Sequence, residues 1–224
     1  MPKPSEATVL SIRCINTTTP ATAWLRSGAL LAALAVSLVT LGCASQAPPP
    51  RAESTTPETT SASIDPATQD AFEQALSLLQ RHEYEQAIAL LSPISSAHPE
   101  LPGPLVNLAI AYIHLDRQDQ AVRTLQKALA SDANHPVALN WLAILERREG
   151  RFEQARSLYE RLLAAHPESR NGHLNLGILC DLYLQQMDCA LNHYRRYQEL
   201  AANQDSAVSH WIADLERRQQ QGRR

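Results

Sequence analysis

Four cysteines and eight histidines are the side chains of this 224-residue chain that could attack a carbonyl or hold a transition metal. Their spacing supports neither role. Cys180 and Cys189 do not form the CxxC pair of zinc sites and dithiol oxidoreductases, and no matched histidine and acid accompany them. His98, His135 and His166 each stand directly before a proline, in segments of turn character, and no HExxH occurs. There is no Gly-rich phosphate loop and no GxSxG elbow. With seven glycines and helical periodicity throughout, an enzyme is not expected, nor is any metal or other cofactor. Among the polar residues that remain, Asn107, Asn140 and Asn175 carry amides that donate and accept at once, and so can grip a peptide backbone without demanding a sequence. That is the chemistry of holding, not of turnover.

The elements that must position these residues repeat. NLAI at 107–110, WLAI at 141–144 and NLGI at 175–178 follow one another at 34 residues. Ala87, Ala121 and Ala155 keep the same step in YEQA, QDQA and FEQA, while Pro99 and Pro167 stand two periods apart in SAHPE and AAHPE. Each unit contains two apolar-periodic segments parted by a short polar turn. In the third, Leu139, Leu142 and Ala143 share one face and Gly150 breaks the run. Phe152, Ala155, Leu158, Tyr159 and Leu162 then share a second face before Pro167. The spacing therefore predicts helix, turn, helix, stop. Small residues at 109, 143 and 177, and at 87, 121 and 155, let two backbones approach closely, with Leu108, Leu142 and Leu176 filling the space between.

This pattern resembles the tetratricopeptide repeat over roughly residues 68–200. The resemblance implies an all-α solenoid of about four helix-turn-helix repeats over 67–202, followed by a capping helix and basic tail over 203–224. In that last segment VSHWIADLERR places Val208, Trp211, Ile212 and Leu215 at helical spacing. Three departures stand out. Gln74 replaces the first unit's Leu, Ala133 replaces the second unit's Pro, and Ala190 follows Ala155 by 35 residues instead of 34. In this family the residue before the core Leu often faces the groove lined by the first helices. The resemblance thus implies a protein-binding groove containing Asn107, Trp141 and Asn175, with Asn140 beside them. The residues also admit another reading, in which the asparagines brace neighbouring helices and Trp141 is core; Ile110, Ile144 and Ile178 are either groove floor or core. The lysines and arginines that clamp a carboxyl terminus in some chaperone-binding members are not recognisable at these positions.

The front of the chain differs in kind. ALLAALAVSLVTL at 29–41 is an uncharged apolar run behind Arg26, shorter than the ~20 residues of a membrane span and matched to the central region of a secretory signal. VTLGC at 39–43 then resembles the lipobox of bacterial lipoproteins, with Thr40 departing from the usual large aliphatic residue. That resemblance implies removal of residues 1–42 and lipidation of Cys43; a plain signal peptide is the alternative. The segment ahead of the apolar run is long for a signal, and the next methionine is Met187. By the family's sorting rule, Ala44 implies the outer membrane with the protein facing the periplasm. Residues 43–66, rich in Pro, Ser, Thr and Ala, read as a disordered tether whose reach grows as about 5–6 Å per square root of residue number. In an oxidising periplasm Cys180 and Cys189 can staple the fourth hairpin as a disulfide, or they are two buried thiols.

After Cys43 the chain carries 17 basic and 22 acidic residues, net −5, with no basic stripe beyond ERRQQQGRR, which argues against nucleic acid. No small-molecule substrate is evident. The combined expectation is an outer-membrane-anchored periplasmic scaffold or adaptor that binds a protein partner of the cell envelope through its groove. The machines considered are TonB/ExbB-type, pilus-secretin and barrel-assembly systems, and NLGILCDLYL with ALNHYRRYQEL is most like the first. The alternative is a periplasmic factor that binds or regulates a peptidoglycan enzyme.

Overall fold

A computed structural model describes residues 64–202 and 205–222, and every regular element within them is helical. The leader, Cys43 and nearly all of the tether lie outside the described residues. Helices α1 (Pro66–Gln80) and α2 (Tyr84–Ala97) form the first hairpin, α3 (Pro102–His114) and α4 (Gln118–Ser131) the second, and α5 (Pro136–Arg148) and α6 (Phe152–Ala165) the third. In the fourth, α7 (Arg170–Ile178) runs directly into a π-helical turn (Leu179–Tyr183) before α8 (Met187–Leu200), and α9 (Ser206–Gly222) follows. Each helix packs on the one before and the one after it, and α1 also meets α3, as α5 meets α7. This is the expected all-α solenoid of four hairpins and a cap.

Local chemistry sets the boundaries. Asp65 caps α1 by accepting from the Thr68 amide at 3.0 Å, and Ser169 caps α7 by accepting from the Gly172 amide at 3.2 Å. Pro102 and Pro136 open α3 and α5, where a missing N–H costs nothing. Each turn within a hairpin places one residue at positive φ: His82 (62°), Asp116 (57°), Gly150 (74°) and Gln185 (55°). The amide that follows closes the turn on a carbonyl five residues back, from Glu83 to Leu78, Arg117 to Tyr112 and Arg151 to Glu146, each at 2.9 Å. In the fourth hairpin Gln186 reaches six residues back, to Cys180 at 2.8 Å. The extra residue of that unit is thus taken up inside the helix as the π-turn, and the hairpin turn keeps its geometry.

The small positions are where helices cross closest. Ala75, Ala87, Ala109, Ala121, Ala143, Ala155 and Ala190 are completely enclosed, with Leu91, Leu125, Leu139 and Tyr159 equally buried between them. Gln74, polar where the later units have Leu, is exposed on the first hairpin, as an outermost repeat requires. Where the second unit has Ala133 instead of Pro, the next hairpin stitches the turn: Arg161 Nε donates to Asn134 Oδ1 at 3.3 Å and also binds the Ala133 carbonyl. At the other end α9 buries Val208 and Leu215, and Trp211 meets Tyr194 at 5.5 Å between ring centroids.

Gly177 carries the tightest approach. A Cβ there would lie 2.6 Å from Cδ1 of Tyr194, a ring that is itself buried. Gly177→Ala is therefore expected to destabilise the fold by about 1–3 kcal/mol through overpacking, outweighing the ~1 kcal/mol by which a helix favours Ala over Gly. Urea unfolding measures it; an unchanged or raised midpoint would mean that Tyr194 yields.

Candidate functional site

The residues singled out by the repeated stamp are on the first helices but not on an open face. Asn107 spends its amide on its own helix, donating from Nδ2 to the Gly103 carbonyl at 2.9 Å. Asn175 keeps 6% of its surface and donates from Nδ2 to Asn140 Oδ1 at 2.9 Å, tying α7 to α5. Trp141 keeps 4%, and Ile144 and Ile178 are core, with Ile110 half-buried. The expectation that Asn107, Asn140, Trp141 and Asn175 line a groove with free amides is corrected accordingly. The cause is the number of neighbours: α5 packs against α4, α6 and α7 together, so the residue before the core Leu is still inside the stack.

The fourth hairpin concentrates the remaining polar chemistry. Cys180 and Cys189 are joined by a disulfide with Cα atoms 5.9 Å apart, linking the π-turn to the first turn of α8. Asp181, buried beside it, accepts from Arg218 Nη2 at 3.0 Å and from the Tyr194 hydroxyl at a long 3.5 Å. Burial first, and the Asp181 charge second, push the Tyr194 phenol far up. A second polar knot joins α8 to α9: Tyr197 donates to Asp205 Oδ2 at 2.9 Å, and Gln198 Nε2 donates to Ser209 Oγ at 2.6 Å. Burial, then the bond to Asp205, raises the Tyr197 phenol to about 12.

Sequence spacing gave no signal for the pair His173 and His193, whose Nδ1 atoms meet at 3.0 Å. His173 Nε2 lies 3.0 Å from the Pro167 carbonyl, which can only accept, so that nitrogen carries the proton. His173 Nδ1 must then accept from the Nδ1–H of His193. Burial, reinforced by repulsion from His173, pushes His193 down to about 4, while Glu160 pulls the other way. Among the described residues no three His, Cys, Asp or Glu side chains come together as metal ligands.

Tetratricopeptide-repeat sequence profiles match residues 78–145 and 136–179, which with the helical architecture defines the fold as a tetratricopeptide-repeat solenoid. Among solved structures, PilF of Pseudomonas aeruginosa superposes with a TM-score of 0.62 at 24% identity, covering 69% of this chain and 70% of that one. MamA from residue 41 onward, of Desulfovibrio magneticus RS-1, gives 0.60 at 18%, covering 70% and 88%. A tetratricopeptide repeat protein of Parabacteroides merdae gives 0.58 at 20%, covering 67% and 59%. At these identities the likeness is one of fold. No curated protein matches the sequence.

Two outcomes follow from the fourth hairpin. Reducing the Cys180–Cys189 bond, which spans a separation of nine residues, is expected to lower stability by about 2–3 kcal/mol on the loop-closure estimate. Urea unfolding with and without dithiothreitol reads this, and coincident curves would refute it. For His193 the folded value lies below the unfolded one, ~6.5, so neutrality favours the fold fully above that pH. The contribution is lost as pH falls from 6.5 toward about 4. Ring-proton NMR should place the His193 midpoint near the lower value, and His193→Gln should flatten the stability profile across that window.

Proposed function

We propose that this chain is a lipid-anchored scaffold of the bacterial outer membrane, a binding protein and not an enzyme, that holds a protein partner on the periplasmic side. The observation that carries this reading is the tetratricopeptide-repeat stack itself, an architecture that recruits protein partners through extended surfaces. Its position behind an apolar leader ending in VTLGC supplies the location. The disulfide between Cys180 and Cys189 fits an oxidising compartment. Among the described residues no helix is long and apolar enough to cross a membrane, so in this reading attachment rests on Cys43. The partner belongs to an envelope machine of the TonB/ExbB, pilus-secretin or barrel-assembly kind.

The test uses the full chain with its own leader in a Gram-negative host, as wild type and as Cys43→Ala. Intact cells are crosslinked, outer membranes isolated, and labelled palmitate and co-purifying proteins identified. The expected result is palmitate on the wild type, one envelope complex recovered with it, and loss of membrane association in Cys43→Ala. Recovery of a peptidoglycan hydrolase or synthase instead transfers the protein to cell-wall regulation. A wild type without palmitate, or found in the cytoplasm, overturns the reading.

A further inference from the structure

Arg147, in the last turn of α5, is a permanent cation with 3% of its surface exposed. Its Nε and Nη1 are enclosed without a hydrogen-bond partner among the described residues, whereas Nη2 is not among the enclosed unpaired atoms. The guanidinium lies over the Tyr183 ring of the π-turn, with Cζ 5.7 Å from the centroid. Close by in the field of the same charge is Tyr159 of α6, whose hydroxyl is likewise buried and unpaired. Asp181, the buried acid of the fourth hairpin, accepts from Arg218 and Tyr194 and makes no ion pair with Arg147. The pocket between the third and fourth hairpins therefore holds donors on two side chains and no acceptor to receive them.

A buried guanidinium without an anion is strongly unfavourable, and the contact with Tyr183 offsets only part of that. What satisfies it best is a carboxylate, whose two oxygens match the planar fork of an arginine. Both bidentate edges of the guanidinium, Nε with Nη2 and Nη1 with Nη2, include the nitrogen that is not sealed. We propose that Arg147 and the Tyr159 hydroxyl form a carboxylate-binding site between the third and fourth hairpins, which takes one acidic group of a bound protein segment. The scaffold reading supplies the carrier of that carboxylate; the site itself rests on the orphaned donors. Tyr183 positions the guanidinium and restricts the approach to its plane.

The probe is sodium acetate, titrated against sodium chloride at matched ionic strength into the protein without its leader but retaining residues 64–224. The readouts are the Arg147 Nε–H NMR resonance and the melting temperature. Acetate is expected to shift the resonance saturably and to raise the wild-type melting temperature by about 2 °C or more. Arg147→Met is expected to melt above the wild type in chloride, since a lone buried charge is gone, and to lose the acetate response. Equal responses of the two proteins to acetate, or Arg147→Met melting lower in chloride, overturn the site. Displacement of acetate by an end-blocked peptide containing aspartate assigns a side chain, and displacement by a peptide with a free carboxyl end assigns a chain terminus. An envelope partner recovered equally by wild type and Arg147→Met overturns the inference and leaves the scaffold standing. Acetate binding with no envelope partner removes the scaffold and leaves the site.

Discussion

The constraint on which the structure depends is the distance at which two helices of one hairpin cross. At Ala75 and Ala87, Ala109 and Ala121, Ala143 and Ala155, the side chains at the crossings are methyl groups with no solvent left around them. Anything larger pushes the backbones apart and costs the packing of the Leu and Tyr residues that flank the crossing. A hairpin closed this tightly buries one apolar side and leaves another, which only a following hairpin can cover. The period of the sequence is the chemical record of that need. In the last hairpin Tyr194 brings a full aromatic ring to the crossing, and the facing position shrinks to Gly177 in return.

Because the crossings enforce the period, the number of hairpins and their phase are legible in the sequence. The turn conformation is legible only at Gly150. The same left-handed geometry occurs at His82, Asp116 and Gln185, where no glycine announces it, and an L-residue there costs about 1–2 kcal/mol. Two backbone bonds at each turn hold it in place: His82 donates to Leu79 and Glu83 to Leu78, for example. Similarly, the 35-residue step to Ala190 reveals an insertion but not where it goes. A loop could have lengthened; instead the helix widened over Leu179–Tyr183, which leaves Gln185 and Gln186 in the same turn as their counterparts. The same widening separates Cys180 from the turn by one more residue, in the segment that the disulfide then fastens to α8.

The first letter of the stamp misled for a reason that a single chain's pattern does not encode. Position on a helical wheel says which way a side chain points, not what is waiting there. Helix α5 has neighbours on three sides, and Asn175 finds Asn140 where a solvent-facing amide would find a peptide. Such a pair fixes the register of α7 on α5, because slipping by one turn would bury both amides unsatisfied. Arg147 was hidden by the opposite error. An arginine in the last turn of a helix ordinarily reads as a solvated cation complementing the helix dipole, and only the closure of the fourth hairpin over it makes it buried.

The cap decides how the charges in that hairpin are distributed. Asp181 lies between two basic helix ends, and Arg218 of α9 takes it at 3.0 Å while Arg147 of α5 does not. A buried carboxylate satisfied from the capping helix locks the end of the stack, because withdrawing α9 would strip Asp181 of the guanidinium that neutralises it. The same allocation leaves Arg147 unneutralised inside the stack. An architecture that wanted only rigidity would pair Asp181 with Arg147, its neighbour across the hairpins, and close the stack with an apolar cap. By assigning the acid to the cap, the fold secures its terminus with one cation and keeps the other charged, oriented over Tyr183 and ready for an anion from elsewhere.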